Sequence, residues 1–364
     1  MSHVHLMTYP EAMVVGLIQG VTELFPASSL GHNVLIPALV GGSWARDLNV
    51  AAPESPYLAF IVGLHVATAI ALLIYFWRDW VRIIRGFFTS IRDRDIVTSD
   101  QKLAWMIVLA TIPVGLAGLL FEHPFRVIFG KPILAAVFLV VNGVILFAGE
   151  KLRPRKSRQA DVAVAEERRQ AMTPAPVQHE PAAGVAVVGL AGAADGGATT
   201  VGPPRRPGHG SHAAAKPDPR AVREADSAAA VLADRRLSTL SFLQAVIIGS
   251  AQILALLAGI SRDGVTMVAG MFRGLSREDA ARFSFLLATP VILAAGALKV
   301  TDLIQKGHGI YGPILAGSIL SGLGAYVSVR YLVRYFQTRT LTPFAIYCVL
   351  FGLGSIIYLQ VLHR

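Results

Sequence analysis

The chain has 364 residues, of which 54% are hydrophobic and 15% charged, with a mean hydropathy of +0.55 and a formal net charge of +10. This balance predicts an integral membrane protein. The positive charge does not indicate nucleic-acid binding, because the basic residues crowd into 78–102 and 151–236, and no aromatic residue interleaves the second segment. Cys348 is the single cysteine and lies inside a predicted span, which excludes a disulfide framework and a thiolate metal site.

Apolar stretches of spanning length recur along the chain, since crossing the hydrocarbon core takes roughly 17 to 25 residues. We predict six spanning helices, over 57–77, 103–121, 132–149, 283–299, 310–333 and 341–362. Two further apolar regions, 9–42 and 239–275, are interrupted by Gly, Pro, Ser and a few charges, and predict re-entrant helix pairs. The predicted fold class is an all-α integral membrane protein.

Residues 151–237 differ from the rest in composition. They are rich in Ala, Gly, Pro and Arg and contain no Phe, Tyr or Trp. Such a segment buries too little apolar area to offset its conformational entropy, so we predict a disordered cytoplasmic linker.

The linker separates two related membrane repeats, 1–150 and 238–364. GLIQGVTELFPASSLG, from Gly16, and GSAQILALLAGISRDG, from Gly249, share Gly, Gln, Leu, Ser and Gly at one constant offset (252 − 19 = 233). With both basic segments placed in the cytoplasm, the repeats have opposite orientations. Inverted repeats with broken helices predict a functional site near the bilayer midplane, where the half-helix N-termini meet and can hold an anion.

The first broken segment carries a carboxylate. Gln19 and Glu23 are spaced i, i+4 and share one helix face. A buried carboxylate needs a metal, an arginine or a proton as its partner. A metal or catalytic role and a structural glutamate, protonated or paired with an arginine, therefore both remain open.

Two serines and a histidine follow directly. Ser28 and Ser29 come after Pro26, and one of them is expected to cap the next half-helix. The other, with His32, forms a candidate nucleophile and base, although the histidine could equally activate a water. His65, inside the first span, is either a hydrogen-bonded structural histidine or a functional intramembrane group.

The second broken segment carries a cation. Arg262 lies in a turn bounded by Gly259 and Gly264, where its planar donors suit a phosphate or diphosphate. The alternative is a plain ion pair with Asp263 or Glu23. Thr266 adds a hydroxyl donor or bonds a local carbonyl. No P-loop, HExxH or Rossmann fingerprint occurs in a suitable context.

At these residues the sequence resembles the undecaprenyl-diphosphate phosphatase family, the bacitracin-resistance membrane phosphatases. The similar stretches are QGVTELFPASSLGH, LATIPVGLAGLLFE, GISRDGVT and REDAARFSFLLATP, which together cover nearly all of both repeats and none of 152–237. Ala258 stands where the family usually has Pro, and Asp263 where it usually has Ser, so a carboxylate sits beside the expected phosphate clamp.

The resemblance implies six spanning helices plus two inverted re-entrant pairs, with a site open to the outer face of the bacterial plasma membrane. It implies hydrolysis of undecaprenyl diphosphate to the monophosphate, which recycles the lipid carrier of cell-wall synthesis, with Mg²⁺ or Ca²⁺. The expected catalytic residues are Ser29, His32, Glu23 and Arg262; the expected substrate-binding residues are Ser28, Ser261, Arg262, Thr266 and Gly259; the expected metal ligands are Glu23 and Gln19.

Two rival functions remain at this point. A polyprenyl-phosphate transporter would share the inverted repeats and the anion-binding arginine, but needs no nucleophile. A catalytically inactive lipid-binding scaffold is suggested by Asp263 and the long linker. The small-residue run at 317–325 is compatible with a homodimer, and internal helix packing explains it equally well.

Overall fold

The computed structural model describes residues 7–48, 56–129, 131–172, 219–306 and 310–362, which form helices and turns without a strand. The helices of the first repeat are α1 (Tyr9–Thr22), α2 (Ser29–Val40), α3 (Gly42–Asp47), α4 (Pro56–Tyr75), α5 (Trp77–Asp93), α6 (Ser99–Phe129) and α7 (Pro132–Leu152). The later helices are α8 (Arg155–Met172), α9 (Pro219–Leu237), α10 (Phe242–Ser250), α11 (Arg262–Phe272), α12 (Arg277–Lys306), α13 (Tyr311–Tyr335) and α14 (Thr342–Leu362). A 3₁₀ helix, Ala251–Leu256, follows α10.

Five of the described helices are long and apolar enough to cross a membrane: α6, α7, α12, α13 and α14. Two helix pairs bent at a short break, α4 with α5 and α9 with α10, raise the number of candidate spans to seven if each pair counts as one. The chain is therefore an all-α, multi-pass membrane protein.

The basic segment 78–102 is largely helical. Helix α5 leaves α4 at an angle of 86°. It buries Asp79, Ile83, Gly86 and Ser90 and exposes apolar side chains such as Phe88. An apolar face opposite arginines is typical of a helix that lies in the membrane interface.

The two broken segments begin and resume in the same way. Thr8 and Ser241 (241 − 8 = 233) each start a helix with a capping box, in which cap and third helical residue bond reciprocally. After each break the helix resumes behind a capping serine, Ser28 before α2 and Ser261 before α11. The helix-capping residues of the two broken segments are thus related by the same offset of 233 residues as the two sequence stretches (261 − 28 = 233).

Small residues set the closest helix contacts. A Cβ added to Gly16 of α1 would lie 2.2 Å from the Gly317 carbonyl oxygen of α13, and one added to Gly249 of α10 would lie 2.1 Å from that of Ala110 in α6. Backbones approach this closely only where side chains are absent. Because Gly317 and Ser321 pack on α1 within the chain, internal packing explains the small residues of 317–325.

The predicted disorder of 151–237 is wrong for both ends of this segment, which form α8 and α9; the rest, 173–218, lies outside the described residues. Arg236 of α9 bonds Asp279 of α12 at 2.8 and 2.9 Å and also pairs with Glu167 of α8. Arg168 of α8 pairs with Glu278. These ion pairs supply stabilisation that the apolar content of the segment does not.

Candidate active site

The two breaks meet, and Ser28 joins them. We call residues 23–29 the first tip and residues 256–262 the second tip. The Ser28 hydroxyl oxygen accepts hydrogen bonds from the backbone N–H of Gly31, in its own helix, and of Gly259, in the second tip, both at 3.2 Å. Ser28 is therefore the expected cap, and it also ties one repeat to the other.

Gly259 is required at this contact. Its φ is +110°, and an added Cβ would lie 2.3 Å from the Ala135 carbonyl oxygen of α7. Both the backbone conformation and the close approach favour glycine. Gly259 therefore has a packing role, and its substrate-binding role stays a prediction.

Asn142 of α7 forms a hydrogen bond with each tip and was not among the predicted site residues. Its side-chain N–H donates to the Pro26 carbonyl at 3.0 Å, and its oxygen accepts from the Ser261 N–H at 2.9 Å. Asn142 is fully buried. The available signal was a lone amide in the predicted span 132–149, where a polar side chain needs a partner.

Glu23 lies at the centre of the site. One carboxylate oxygen accepts from Arg262 Nη2 at 2.7 Å, and the other accepts from Gln19 Nε2 at 2.8 Å and from the Ser29 hydroxyl. The carboxylate is 5% exposed. The structure thus brings together Gln19, Glu23, Ser29 and Arg262, and an arginine is the partner of the buried glutamate.

A second layer holds Gln19. The Asn33 amide N–H donates to Gln19 Oε1 at 2.5 Å, which directs the Gln19 N–H groups toward Glu23 and His65. His65 Nε2 lies 3.2 Å from Gln19 Nε2 and 3.4 Å from Glu23 Oε2, while its Nδ1 faces the Ile61 carbonyl at 2.8 Å. His65 is therefore part of the site and not an isolated structural histidine.

His32 does not pair with Ser29, contrary to the nucleophile and base predicted from their spacing. Its Nδ1 faces the Ser28 carbonyl oxygen at 2.8 Å and its Nε2 faces the Tyr347 hydroxyl at 2.7 Å. Its ring stacks on Tyr347 and Phe351. Because the Ser29 hydroxyl donates to Glu23, this carboxylate is the base in contact with the candidate nucleophile.

Arg262 retains donors for a ligand. Its Nε is buried and has no hydrogen-bond partner among the described residues, lying 3.9 Å from the Asp263 carboxylate. Asp263 accepts from the Ser284 hydroxyl at 2.8 Å and is fully buried, so its charge is directed toward α12. Asp263 therefore does not compete with Glu23 for Arg262 Nη2.

The hydroxyl groups of two predicted substrate-binding residues form hydrogen bonds with nearby backbone groups. Thr266 donates to the Arg262 carbonyl at 2.7 Å. Ser261 accepts from the Gly264 N–H at 3.2 Å as the cap of α11 and faces the Phe25 carbonyl oxygen at 3.4 Å. In this arrangement both residues shape the second tip.

A comparison with protein families shows which family the chain belongs to. The family model described as bacitracin resistance protein BacA matches residues 12–174 and 221–354. The chain belongs to the BacA family. The match includes most of α8 and α9, so the resemblance extends into the linker, which our sequence analysis had excluded from it.

Curated BacA-family relatives match over almost their whole length. The chain is 54% identical to the undecaprenyl-diphosphatase of Mycolicibacterium paratuberculosis, over 97% of this chain and 98% of the relative. It is 52% identical to undecaprenyl-diphosphatase 2 of Frankia alni, over 96% and 97%. It is 35% identical to undecaprenyl-diphosphatase 2 of Chromobacterium violaceum, over 96% and 98%.

The side chains of this BacA-family site do not by themselves fit a resident divalent cation. In the part of the chain that the structure describes, Glu23 is the one carboxylate within the tips' hydrogen-bond network, and Gln19 presents its N–H groups to it rather than its oxygen. Among the described residues no group of three or more His, Cys, Asp or Glu is placed to hold a metal. The role of Mg²⁺ or Ca²⁺ therefore stays a prediction.

Proposed function

We propose that the protein is an undecaprenyl-diphosphatase, which hydrolyses undecaprenyl diphosphate to the monophosphate and inorganic phosphate. The observation that carries the proposal is the Ser29–Glu23–Arg262 arrangement, in which a carboxylate bonds both a hydroxyl and a guanidinium where two half-helices start. The names of the curated relatives support this substrate. Recycling of this lipid carrier serves cell-wall synthesis and confers resistance to bacitracin.

In the proposed mechanism Ser29 attacks the terminal phosphorus. Its hydroxyl proton passes to Glu23 Oε2, its oxygen forms a bond to phosphorus, and the bond from phosphorus to the leaving undecaprenyl monophosphate breaks. Glu23 passes this proton to the leaving undecaprenyl monophosphate. A water molecule then attacks the phosphoserine and gives a proton to Glu23, the bond from phosphorus to Ser29 Oγ breaks, and Glu23 returns the proton to Ser29 Oγ as phosphate is released. A water held at Ser29 could also attack directly with the same base.

Arg262 stabilises the charge that develops on the phosphoryl oxygens. Its guanidinium group, which bonds Glu23 through Nη2, and the N-terminal ends of α2 and α11 are the donors for this charge. Binding of the phosphate in place of the Glu23 contact would free this carboxylate as a base. His32 orients the Ser28 carbonyl and Tyr347, and so acts on the first tip without taking the proton from Ser29.

The proposal also includes the membrane arrangement. In this arrangement the protein has six spans and two inverted re-entrant pairs, the site opens toward the outer face, the linker is cytoplasmic, and the prenyl tail lies in a lateral groove between spans. The repeated capping boxes and the paired contacts of α1 with α13 and α10 with α6 support the inverted repeat. The bond between Ser29 and Glu23 favours hydrolysis over polyprenyl-phosphate transport, which needs no nucleophile.

The test is release of phosphate from undecaprenyl diphosphate by the detergent-purified protein. We expect release by the wild type and its loss in Glu23→Gln and Arg262→Ala, with lipid binding measured in parallel. The assay is run with Mg²⁺, with Ca²⁺ and with a chelator, which tests the metal prediction separately. Folded wild type that binds the lipid and releases no phosphate would overturn the proposal and favour transport or a scaffold.

A further inference from the structure

A basic groove lies outside the network of side chains around Glu23. This open groove of about 870 Å³ is lined by residues of the last turns of α13 and of the turn into α14. Its polar lining includes Arg330, Tyr331, Arg334, Tyr335, Thr338 and Arg339. We call this the linker-side groove, because the Leu341 N–H next to it donates to Glu150 at 3.3 Å, at the end of α7 from which α8 extends.

The three arginines of the groove lie together on one concave surface. Arg330, Arg334 and Arg339 are exposed and make no ion pair within the described part of the chain, and no carboxylate lines the groove. Arginines that do pair with carboxylates include Arg82, Arg153, Arg168, Arg236, Arg277 and Arg282. Three like charges on one concave surface repel each other unless an anion lies between them.

An apolar track leads into the groove. Leu315, Ile319, Leu323 and Val327 of α13 are 54–66% exposed and recur every fourth residue, so they form one stripe. From Leu315 to Val327 the stripe is about 18 Å long at 1.5 Å per residue. Its last member, Val327, lines the groove, so an alkyl chain on the stripe ends at the arginines.

The groove also contacts the first tip. The ring of Tyr331 stacks on Phe25 with centroids 6.1 Å apart, and Phe25 lies two residues after Glu23. Tyr331 also faces Tyr335 at 5.6 Å. Tyr331 therefore lines the groove and also packs on the first tip, whereas Glu23 and Ser29 do not line the groove.

We propose that the linker-side groove binds the phosphate headgroup of a membrane lipid, with the lipid's chain along the α13 stripe. The guanidinium groups bind phosphate oxygens, and the Tyr and Thr hydroxyls add neutral donors. Basic pockets between spanning helices on the positively charged side of membrane proteins recognise such headgroups. This site does not depend on the proposed hydrolysis, since none of its lining residues belongs to the Glu23 site.

The test is native mass spectrometry of the full-length, detergent-purified protein titrated with single lipids. The probes are undecaprenyl monophosphate, phosphatidic acid and phosphatidylglycerol, with phosphatidylcholine as the zwitterionic reference. We expect the triple variant Arg330→Gln, Arg334→Gln, Arg339→Gln to bind the anionic lipids at least about tenfold more weakly than the wild type. The matched variant Arg85→Gln, Arg155→Gln, Arg235→Gln removes the same charge from exposed, unpaired positions outside the groove and should stay within about twofold.

Two further arms complete the experiment. Binding to the groove should persist in Arg262→Ala, which separates it from the Glu23 site, and Arg334→Gln alone should weaken it if the triple variant does not fold. Tighter binding of undecaprenyl monophosphate than of phosphatidic acid would identify a prenyl lipid as the occupant, and equal binding would identify any lipid phosphate. Equal losses in both triple variants, or equal binding of phosphatidylcholine, would overturn the proposal.

Discussion

The two tips have the same architecture and different chemistry. Ser29 and Arg262 are each the first helical residue after a capping serine, and they occupy equivalent positions (262 − 29 = 233). The position equivalent to Glu23 is Leu256 (256 − 23 = 233). One repeat thus supplies the proposed nucleophile and base, and the other supplies the cation that bonds Glu23.

The equivalent glutamines show how far the two tips have diverged. Gln19 bonds Glu23 and Asn33 and lies against His65. Gln252 is equally buried, but neither atom of its amide has a partner within the described residues. A duplicated backbone therefore does not imply two functional sites, and the difference can be tested position by position.

The largest expected effect is at Ser29. Ser29→Ala removes the proposed nucleophile, so phosphate release should fall by about a thousandfold. Ser355→Ala is the matched control, because the Ser355 hydroxyl bonds only a carbonyl of its own helix. Release from Ser29→Ala at the wild-type rate would show that a water, and not this hydroxyl, attacks the phosphorus.

The next effect is at the equivalent position in the second tip. Arg262→Lys keeps the charge but replaces the planar donors by a point charge, and we expect kcat to fall about a hundredfold. Arg273→Lys, at the exposed end of the same helix, should retain activity. Near-normal activity of Arg262→Lys would reduce the role of Arg262 to simple charge pairing with Glu23.

A smaller effect is expected at Gln19. Gln19→Leu removes one hydrogen bond to Glu23 and leaves the Asn33 amide without its acceptor. Loss of about 1.4 kcal/mol of transition-state stabilisation corresponds to a tenfold decrease in kcat. The measurement is steady-state phosphate release, with Asn33→Leu as a second route to the same loss of orientation. Unchanged kcat in both variants would contradict this role.

The smallest effect is expected at Gln252. Gln252→Leu replaces a buried amide without partners by an apolar side chain, so the free energy of unfolding should stay the same or rise by about 1 kcal/mol. Phosphate release should remain within about twofold of the wild type. Thermal unfolding in detergent measures the first quantity. A tenfold loss of activity would reveal a function for the second glutamine and abolish the contrast between the tips.

The sequence predicted the breaks, the repeat offset and most of the residues that the structure brings together, because capping serines, glycines and helix-incompatible prolines act locally. It did not predict which groups pair. The Ser29 bond to Glu23 depends on how the chain turns between them, and the bracing by Asn142 depends on a helix that is distant in sequence. The spacing of Ser29 and His32 was misleading because α14 provides Tyr347 as a closer partner for His32.

The secondary structure of the linker was likewise not predictable from its local sequence. Its composition lacks large apolar residues, and on that basis disorder was expected. Helices α8 and α9 instead gain their partners from α12, where Glu278 and Asp279 face Arg168 and Arg236. Such ion pairs depend on tertiary neighbours, so no window of local sequence contains them.

The contact between Ser28 and Gly259 joins two parts of the chain that are synthesised at different times. The first repeat leaves the ribosome well before the second, and at that stage the Ser28 hydroxyl has Gly31 as its N–H donor while Glu23 lacks its arginine. Gly259 follows 231 residues after Ser28 (259 − 28 = 231), and Arg262 three residues later. A nascent or truncated chain therefore carries a serine and a carboxylate without the cation opposite them, and the enzyme becomes competent only when both halves are in the membrane.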